Sequence, residues 1–335
     1  MLKYAELRSA PRTDLGKAVP LPRPFTVFIE PTNVCNFRCD MCPESFPDYR
    51  ERAGYYKRMP APLYEKILAD LKELGPIKAL KFYFEGEPLL NPELPEMIRM
   101  AREMGVANRL ELTTNASLIT ESVARRLVGA GLDYVRISIY ALEDVAYQEV
   151  TASKYTAALV KDNLRRFREI RDATGATKPI LYAQWLEQDA EADARFLSEY
   201  SKIVDETGIE PRHNWNGSDD RLVQIGGAGK HPKQACPEPF YTLAIKANGD
   251  VSACCIDWSG KLVIGNAATS SVKDLWEGEE LRRIQEAHIA KRRDELPGCR
   301  GCTLIYNFPD NIDHLTPEEF AGRFPVRPER ELPHT

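Results

Sequence analysis

The chain reads as an α/β protein with a small α+β domain at its C-terminal side. Three observations predict this. Short β-rich runs alternate with stretches of helical periodicity from residue 25 to 215, as repeated βα units do. Residues 216–235, rich in Gly and polar side chains, then interrupt the pattern, which suits a linker. Beyond them lie a hairpin-like run and a helical run, in a segment that holds five of the eight cysteines.

The βα pattern places strands at residues 25–30, 79–85, 109–115, 134–140, 180–187 and 210–215, with helices at 61–74, 92–104, 121–130, 156–174 and 190–207. Side chains alternate faces along a strand, so in Y-V-R-I-S-I Arg136 and Ser138 share one face while Val135, Ile137 and Ile139 share the other. Lys81, Tyr83 and Glu85 align in the same way on the second strand, Glu111, Thr113 and Asn115 on the third, and Tyr182 with Gln184 on the fifth. The apolar faces should pack on helices and leave the polar faces inside. Residues 1–24 read as an N-terminal extension, 236–306 as the second domain, and the proline- and acid-rich 307–335 as a tail or wrap without an assigned role. Within the second domain, residues 241–255 form a hairpin turning at Asn248 and Gly249, and 271–291 a helix with Trp276, Leu281 and Ile284 toward a core.

Composition narrows the function. The 335 residues carry a net charge of −5, with 28% charged and 43% hydrophobic side chains. No basic run suggests a nucleic-acid partner. No apolar stretch reaches the roughly 18 residues of a membrane helix. The charged N-terminus lacks a signal-peptide core, so a cytoplasmic location is expected. In a reducing compartment eight cysteines grouped as 35/39/42, 236, 254/255 and 299/302 argue for metal ligation. The five histidines, at 213, 231, 288, 314 and 334, form no ligand pair.

Cys35, Cys39 and Cys42 follow the first strand as C-x-x-x-C-x-x-C. Structural zinc sites and fully ligated clusters use four ligands, whereas this motif offers three thiolates and leaves one metal position open. The spacing also admits a metal site completed elsewhere in the chain. The second strand ends in Gly86-Glu87-Pro88, where glycine allows a close backbone approach to a ligand. Cys236, Cys254, Cys299 and Cys302 supply four thiols that could hold either an iron–sulfur cluster or zinc.

On these motifs the chain resembles the radical S-adenosylmethionine (SAM) superfamily. The resemblance implies an open partial (β/α)6 TIM-like barrel and a [4Fe-4S] cluster on Cys35, Cys39 and Cys42. It also implies that SAM chelates the fourth iron and is cleaved reductively to a 5′-deoxyadenosyl radical, with an electron donor such as flavodoxin or ferredoxin. Gly86, Glu87 and Pro88 stand where the family binds the SAM amino group, with Glu85 at a position commonly glycine. Met41 replaces a common aromatic residue and still suits adenine packing. Asn115, Arg136 and Ser138 resemble elements near the SAM carboxylate and ribose, and Gln184 is carried with them.

The second domain resembles a twitch domain, the short form of SPASM, which implies one auxiliary [4Fe-4S] cluster on Cys236, Cys254, Cys299 and Cys302. Their spacing is similar to that in radical SAM dehydrogenases of aminocyclitols. There the radical takes hydrogen from a carbinol carbon, a base takes the hydroxyl proton, and the auxiliary cluster takes the electron. A polar carbohydrate or aminocyclitol is therefore the expected small-molecule substrate, with Glu87, Arg136, Tyr182, Gln184 and Glu187 as inner-face candidates to hold it or act on it. The alternative is a radical epimerase of the aminoglycoside-pathway kind, in which the spare Cys255 gives a hydrogen atom; strand alternation would turn it away from Cys254. Cys255 equally fits a small core residue, and Asp257 and Trp258 could contact substrate or pack. With about 24 residues before the barrel, no leader-peptide domain is expected. A peptide-modifying maturase and a non-catalytic iron–sulfur or zinc protein are the further alternatives.

Overall fold

The computed structural model describes residues 12–210 and 233–324. Its strands are β1 (Thr26–Ile29), β2 (Ile77–Phe82), β3 (Ala107–Thr114), β4 (Tyr134–Ile139), β5 (Ile180–Leu186), β6 (Glu206–Glu210), β7 (Thr242–Ile245), β8 (Asp250–Ser252) and β9 (Val263–Asn266). All nine belong to one sheet, ordered β6-β5-β4-β3-β2-β1-β7-β8-β9.

From β1 to β6 every pairing is parallel, because each strand returns through a helix rather than a hairpin. The helix Ala61–Leu74 shows why it forms: Tyr64, Ile67, Leu68 and Leu71 are its buried residues, a single stripe at helical spacing. Thr120 and Thr156 accept from Val123 N and Leu159 N, capping Glu121–Gly129 and Ala157–Ala173. Val135, Ile137 and Ile139 are buried while Arg136 and Ser138 are half-buried, so the apolar face of β4 packs on helices and the polar one faces inward. β6 and β9 lie at opposite ends of the sheet order, which makes an open partial barrel.

The sixth strand starts earlier than expected. The helix begun at Ala190 ends at Tyr200, and Glu206–Glu210 pairs with β5 from Tyr182↔Glu206 to Leu186↔Glu210. The apolar stripe stops at Phe196 and Tyr200, and Asp205 marks the strand start by accepting from Leu181 N at 2.7 Å while pairing with Arg171. Residues 211–215, and most of the expected linker, lie outside the described residues. Two further short helices, Tyr49–Ala53 and Asp144–Thr151, were not expected.

The second half joins the first through backbone. β7 runs parallel to β1, from Thr26↔Thr242 to Ile29↔Ile245, and turns into antiparallel β8 through Gly249, whose φ of 92° demands glycine. The expected helix over 271–291 is two, Val272–Trp276 and Glu279–Ile289. They break at Gly278, where a Cβ would stand 2.9 Å from Asp274 O. Trp276, Leu281 and Ile284 are buried. The tail wraps back: Phe320, on the helix Pro317–Ala321, packs on Phe240 with ring centroids 5.6 Å apart, and Arg323 donates to Val19 O at 3.0 Å.

Candidate functional site

The loop after β1 carries Cys35, Cys39 and Cys42. It is held by backbone bonds from Arg38 N to Thr151 O (2.9 Å) and from Asp40 N to Val150 O (3.1 Å), and by a turn in which Cys42 N donates to Cys39 O at 2.9 Å. Phe37, 1% exposed, anchors it among Tyr140, Tyr147 and Tyr155. The Gly86-Glu87-Pro88 element grips the loop from below. Glu87 N donates to Val34 O at 2.9 Å, and a Cβ on Gly86 would stand 2.6 Å from Thr32 O and 2.8 Å from Val34 O, at a φ of +69°. The close approach anticipated for a ligand is thus made by the cysteine loop itself. The buried Glu87 carboxylate accepts from Thr114 Oγ1 (2.7 Å), Asn115 N (2.8 Å) and Leu89 N (3.0 Å); burial nevertheless pushes its pKa up to about 7. Asn115 Nδ2 reaches Asn36 Oδ1 at 2.9 Å, and Ser117 Oγ closes a ring of side chains by accepting from Asn36 and donating to Asn115.

All three thiols are free. Burial raises each of them, Cys39 to about 12, and Cys35 and Cys42 are raised further by neighbouring thiols. Among the described residues no three His, Cys, Asp or Glu side chains converge on a point as they would around one ion. The thiols of an iron–sulfur cube each bind a separate iron, so they enclose a volume instead. Three thiols on one loop, Cys39 buried and Cys35 and Cys42 half-buried, fit that group.

The inner wall of the barrel is ionic. Lys81 on β2 and Glu111 on β3 are register partners, 3.7 Å apart at their charged atoms. Arg136 on β4 pairs with Glu210 at the end of β6 and donates to Gln184 Oε1 at 2.5 Å. The Tyr182 hydroxyl donates to Glu210 at 3.5 Å; Gly208 makes room for this ring, since a Cβ there would meet the hydroxyl at 2.0 Å. Burial opposes ionisation of Glu111, but Lys81, Arg109 and Arg136 outweigh it and lower its pKa. Arg136 Nε and Thr113 Oγ1 are buried without partners. Ser138 stands opposite Gln184 in register. Glu187 does not join this wall: it is exposed just past β5, and Glu210 supplies the carboxylate instead.

A second buried polar group joins the segments that follow β1, β2 and β7. Glu30, fully buried, accepts from Tyr55 Oη (2.5 Å), Ala247 N (2.8 Å) and Glu85 N (3.3 Å). Lys246, 1% exposed, donates to Trp258 O at 3.3 Å. Glu85, whose pKa is driven up by burial and by Glu30, keeps one oxygen unpartnered. Glu30, Lys246 and Glu210 carried no motif and were missed; only their burial reveals them.

In the second half, Cys236, Cys254, Cys299 and Cys302 gather around one place. Burial raises Cys236, Cys299 and Cys302, and each is raised further by Cys254. A turn with Cys302 N donating to Cys299 O (3.1 Å) and a bond from Cys254 N to Ser252 Oγ (3.3 Å) position them, and the Arg293 guanidinium bonds the carbonyls of Cys299 (3.4 Å) and Cys302 (3.1 Å). Four thiols fit a fully ligated cluster. His288, also missed, lies against Cys299.

Cys255 does not sit as expected. β8 ends at Ser252, so strand alternation does not reach Cys254 and Cys255, and the two free thiols are hydrogen-bonded neighbours rather than pointing apart. Cys255 also bonds the Glu238 carboxyl, which feels the charge of Lys81 on the inner wall. Asp257 is a structural acceptor for Ser252 Oγ, Lys261 N and Leu262 N, each at 2.8 Å, and Trp258 packs between Phe46 and Tyr49.

Comparison with known proteins agrees with this arrangement. The model of the radical SAM superfamily matches residues 29–194, and that of an iron–sulfur cluster-binding domain, SPASM, matches 236–303. The chain is 29% identical to the tungsten-containing aldehyde ferredoxin oxidoreductase cofactor-modifying protein of Pyrococcus furiosus over 46% of this chain, and the match spans only 41% of that protein. It is 22% identical to the S-adenosyl-L-methionine-dependent 2-deoxy-scyllo-inosamine dehydrogenase of Niallia circulans, over 83% of this chain and 92% of that one. The fold is that of the solved structure of BtrN in complex with AdoMet and 2-DOIA, with a TM-score of 0.56 at 18% identity over 83% of this chain and 92% of that one. An open parallel barrel with three thiols beyond its first strand, followed by a four-thiol iron–sulfur domain, places this chain in the radical SAM superfamily, with SAM and [4Fe-4S] clusters as its cofactors.

Proposed function

We propose that the protein is a radical SAM dehydrogenase that oxidises a carbinol carbon of a polar carbohydrate or aminocyclitol to a ketone. In this reading the barrel comprises residues 25–215 and the auxiliary-cluster domain 236–306, joined by a linker at 216–235. Cys35, Cys39 and Cys42 hold the cluster that binds SAM, and Cys236, Cys254, Cys299 and Cys302 hold the auxiliary one. When bound, SAM and the first cluster supply a 5′-deoxyadenosyl radical that takes one hydrogen atom, and the auxiliary cluster takes one electron. A flavodoxin or ferredoxin supplies the electron that cleaves SAM.

The observation that carries this reading is the inner wall itself. Lys81–Glu111 and Arg136–Glu210, with Tyr182 and Gln184, present alternating charges and hydroxyl-binding groups, which match a small molecule rich in hydroxyl and amino groups. The likeness to an aminocyclitol dehydrogenase over most of both chains points the same way. Glu87, Asn115 and Ser138 remain assigned to SAM, together with Gly86 and Pro88; Arg136 and Gln184 border both ligands. The test is anaerobic reconstitution with iron, sulfide, SAM and dithionite, followed by 2-deoxy-scyllo-inosamine and related aminocyclitols. Stoichiometric 5′-deoxyadenosine and ketone are expected; an assembled cluster that forms no 5′-deoxyadenosine would sink the proposal.

One observation favours a second reading, epimerisation. The Cys255 thiol bonds Glu238, and Glu238 feels Lys81 on the inner wall, so this thiol borders the space where a substrate radical would form.

A further inference from the structure

The auxiliary cysteines have a neighbour that spacing did not announce. The helix Glu279–Ile289 buries Leu281, Ile284, Gln285 and His288, one face at helical spacing. Gln285 fastens that face to the turn before β7 by donating to Pro239 O at 2.9 Å. His288, fully buried, stands in the last turn. Its two ring nitrogens have different partners. Cys236 N donates to Nδ1 at 3.2 Å, and Nε2 lies 3.5 Å from Cys299 Sγ.

These two contacts decide the tautomer. A backbone N–H can only donate, so Nδ1 is the acceptor and carries no proton. The proton of the neutral ring is therefore on Nε2, aimed at the Cys299 sulfur. Histidines beside metal sites commonly use one nitrogen to orient the ring and the other to act on the metal or its shell. Here the backbone of one cysteine orients the ring, and the sulfur of another receives its proton donor. Arg293, which bonds the carbonyls of Cys299 and Cys302, adds positive charge on the same side.

We propose that His288 is a positioning residue of the auxiliary cluster whose Nε2–H···Sγ bond to Cys299 raises that cluster's reduction potential. The inference rests on Cys236, Cys254, Cys299 and Cys302 being its ligands. Gaining one electron places more negative charge on the cysteine sulfurs, so a donor at one of them stabilises the reduced form more than the oxidised form. In the reaction proposed above, the electron left on the substrate carbon after loss of a hydrogen atom and the hydroxyl proton passes to this cluster, which is reduced by one electron while the substrate becomes a ketone. A higher potential favours that transfer, and no part of His288 need touch the substrate.

The experiment uses the full chain with Cys35, Cys39 and Cys42 replaced by Ala, so that only the auxiliary cluster gives a signal. Its midpoint potential is measured by redox titration with electron paramagnetic resonance in this background and in the same background with His288→Phe or His288→Gln. His288→Phe is expected to lower the ratio of reduced to oxidised cluster at a fixed potential about tenfold, or about 59 mV for a one-electron couple; His288→Gln, which keeps an N–H donor, should fall between. An unchanged potential in His288→Phe with full iron loading overturns the proposal. Because His288→Phe could fail to load iron, the background protein labelled with 15N-histidine is also examined by electron spin-echo modulation of the reduced cluster. A coupled histidine nitrogen and a deuterium-exchangeable proton are expected, and their absence overturns the proposal with no substitution at His288. If the background protein binds no iron, the ligand assignment falls and the proposal with it; loss of the histidine coupling alone leaves that assignment standing.

Discussion

Arg136 on β4 reaches across β5 to pair with Glu210 at the end of β6, and its Nε is left buried without a partner. The pair spans the inner wall, so the guanidinium is held in place while one donor stays free for a ligand. Glu210→Ala should leave a largely buried cation without its hydrogen-bonded counter-charge, with only Glu111 nearby, and cost about 3 kcal/mol of stability, the lower end for breaking such a pair because it is partly solvated. If Arg136 also orients substrate, the variant that remains folded should still cleave SAM while ketone formation falls by tenfold or more. Equal losses of 5′-deoxyadenosine and ketone would place Arg136 with SAM alone.

Gly86→Ala tests the grip of the second strand on the cysteine loop. The added methyl would collide with backbone at Thr32 and Val34 and take up a left-handed conformation, a strain of about 2 kcal/mol before any clash. Iron bound by the first cysteine set should fall sharply while iron in the auxiliary set is retained. Iron counting against the Cys35, Cys39 and Cys42 triple-Ala variant separates the two.

That triple variant carries its own prediction. It should retain about four irons per chain where the intact protein holds about eight, because the auxiliary cluster has four ligands of its own. Zinc in place of iron would contradict the cofactor assignment.

The wall charges predict a pH dependence. Burial opposes the charge on Glu111, yet Lys81, Arg109 and Arg136 bring its folded pKa below the ordinary 4.5. A depressed acid contributes stability above its unfolded pKa and loses it as pH falls through the folded value. Thermal melts of the apo chain should therefore show a loss below about pH 4.5 that Glu111→Gln lacks. At pH 7 the variant should be less stable by about 3 kcal/mol, since it leaves Lys81 and Arg136 short of a counter-charge.

Cys255→Ala separates the two outcomes for the substrate radical. Ketone formation within a few-fold of the intact protein is expected for a dehydrogenase. Loss of an epimeric product with continued SAM cleavage would instead identify the thiol as the hydrogen donor.

The parts legible in the sequence were those written in local spacing. Cys35, Cys39 and Cys42, the Gly86-Glu87-Pro88 turn and the alternation of Arg136 with Ile137 each depend on neighbours within a few positions, so a linear reading finds them. Glu210 and His288 were not legible because their partners are distant: Glu210 meets Arg136 only once β6 is laid beside β5, and His288 meets Cys299 across a turn after its helix. The early start of the sixth strand has the same origin. Its start is marked by Asp205 bonding Leu181 and Arg171, contacts that no window around residue 206 contains. The orientation expected for Cys255 differed for another reason, since alternation was applied beyond Ser252, where β8 ends.

The ladder from Thr26↔Thr242 to Ile29↔Ile245 makes β1 a shared beam. The loop with the first three thiols leaves its far end, and the hairpin leading to Cys254 is hung along its side. A hinge that drew the two sites apart would have to tear this ladder, so their separation is built in as a fixed gap. Any motion that admits a ligand to the barrel then falls to loops and side chains rather than to a swing of one half against the other.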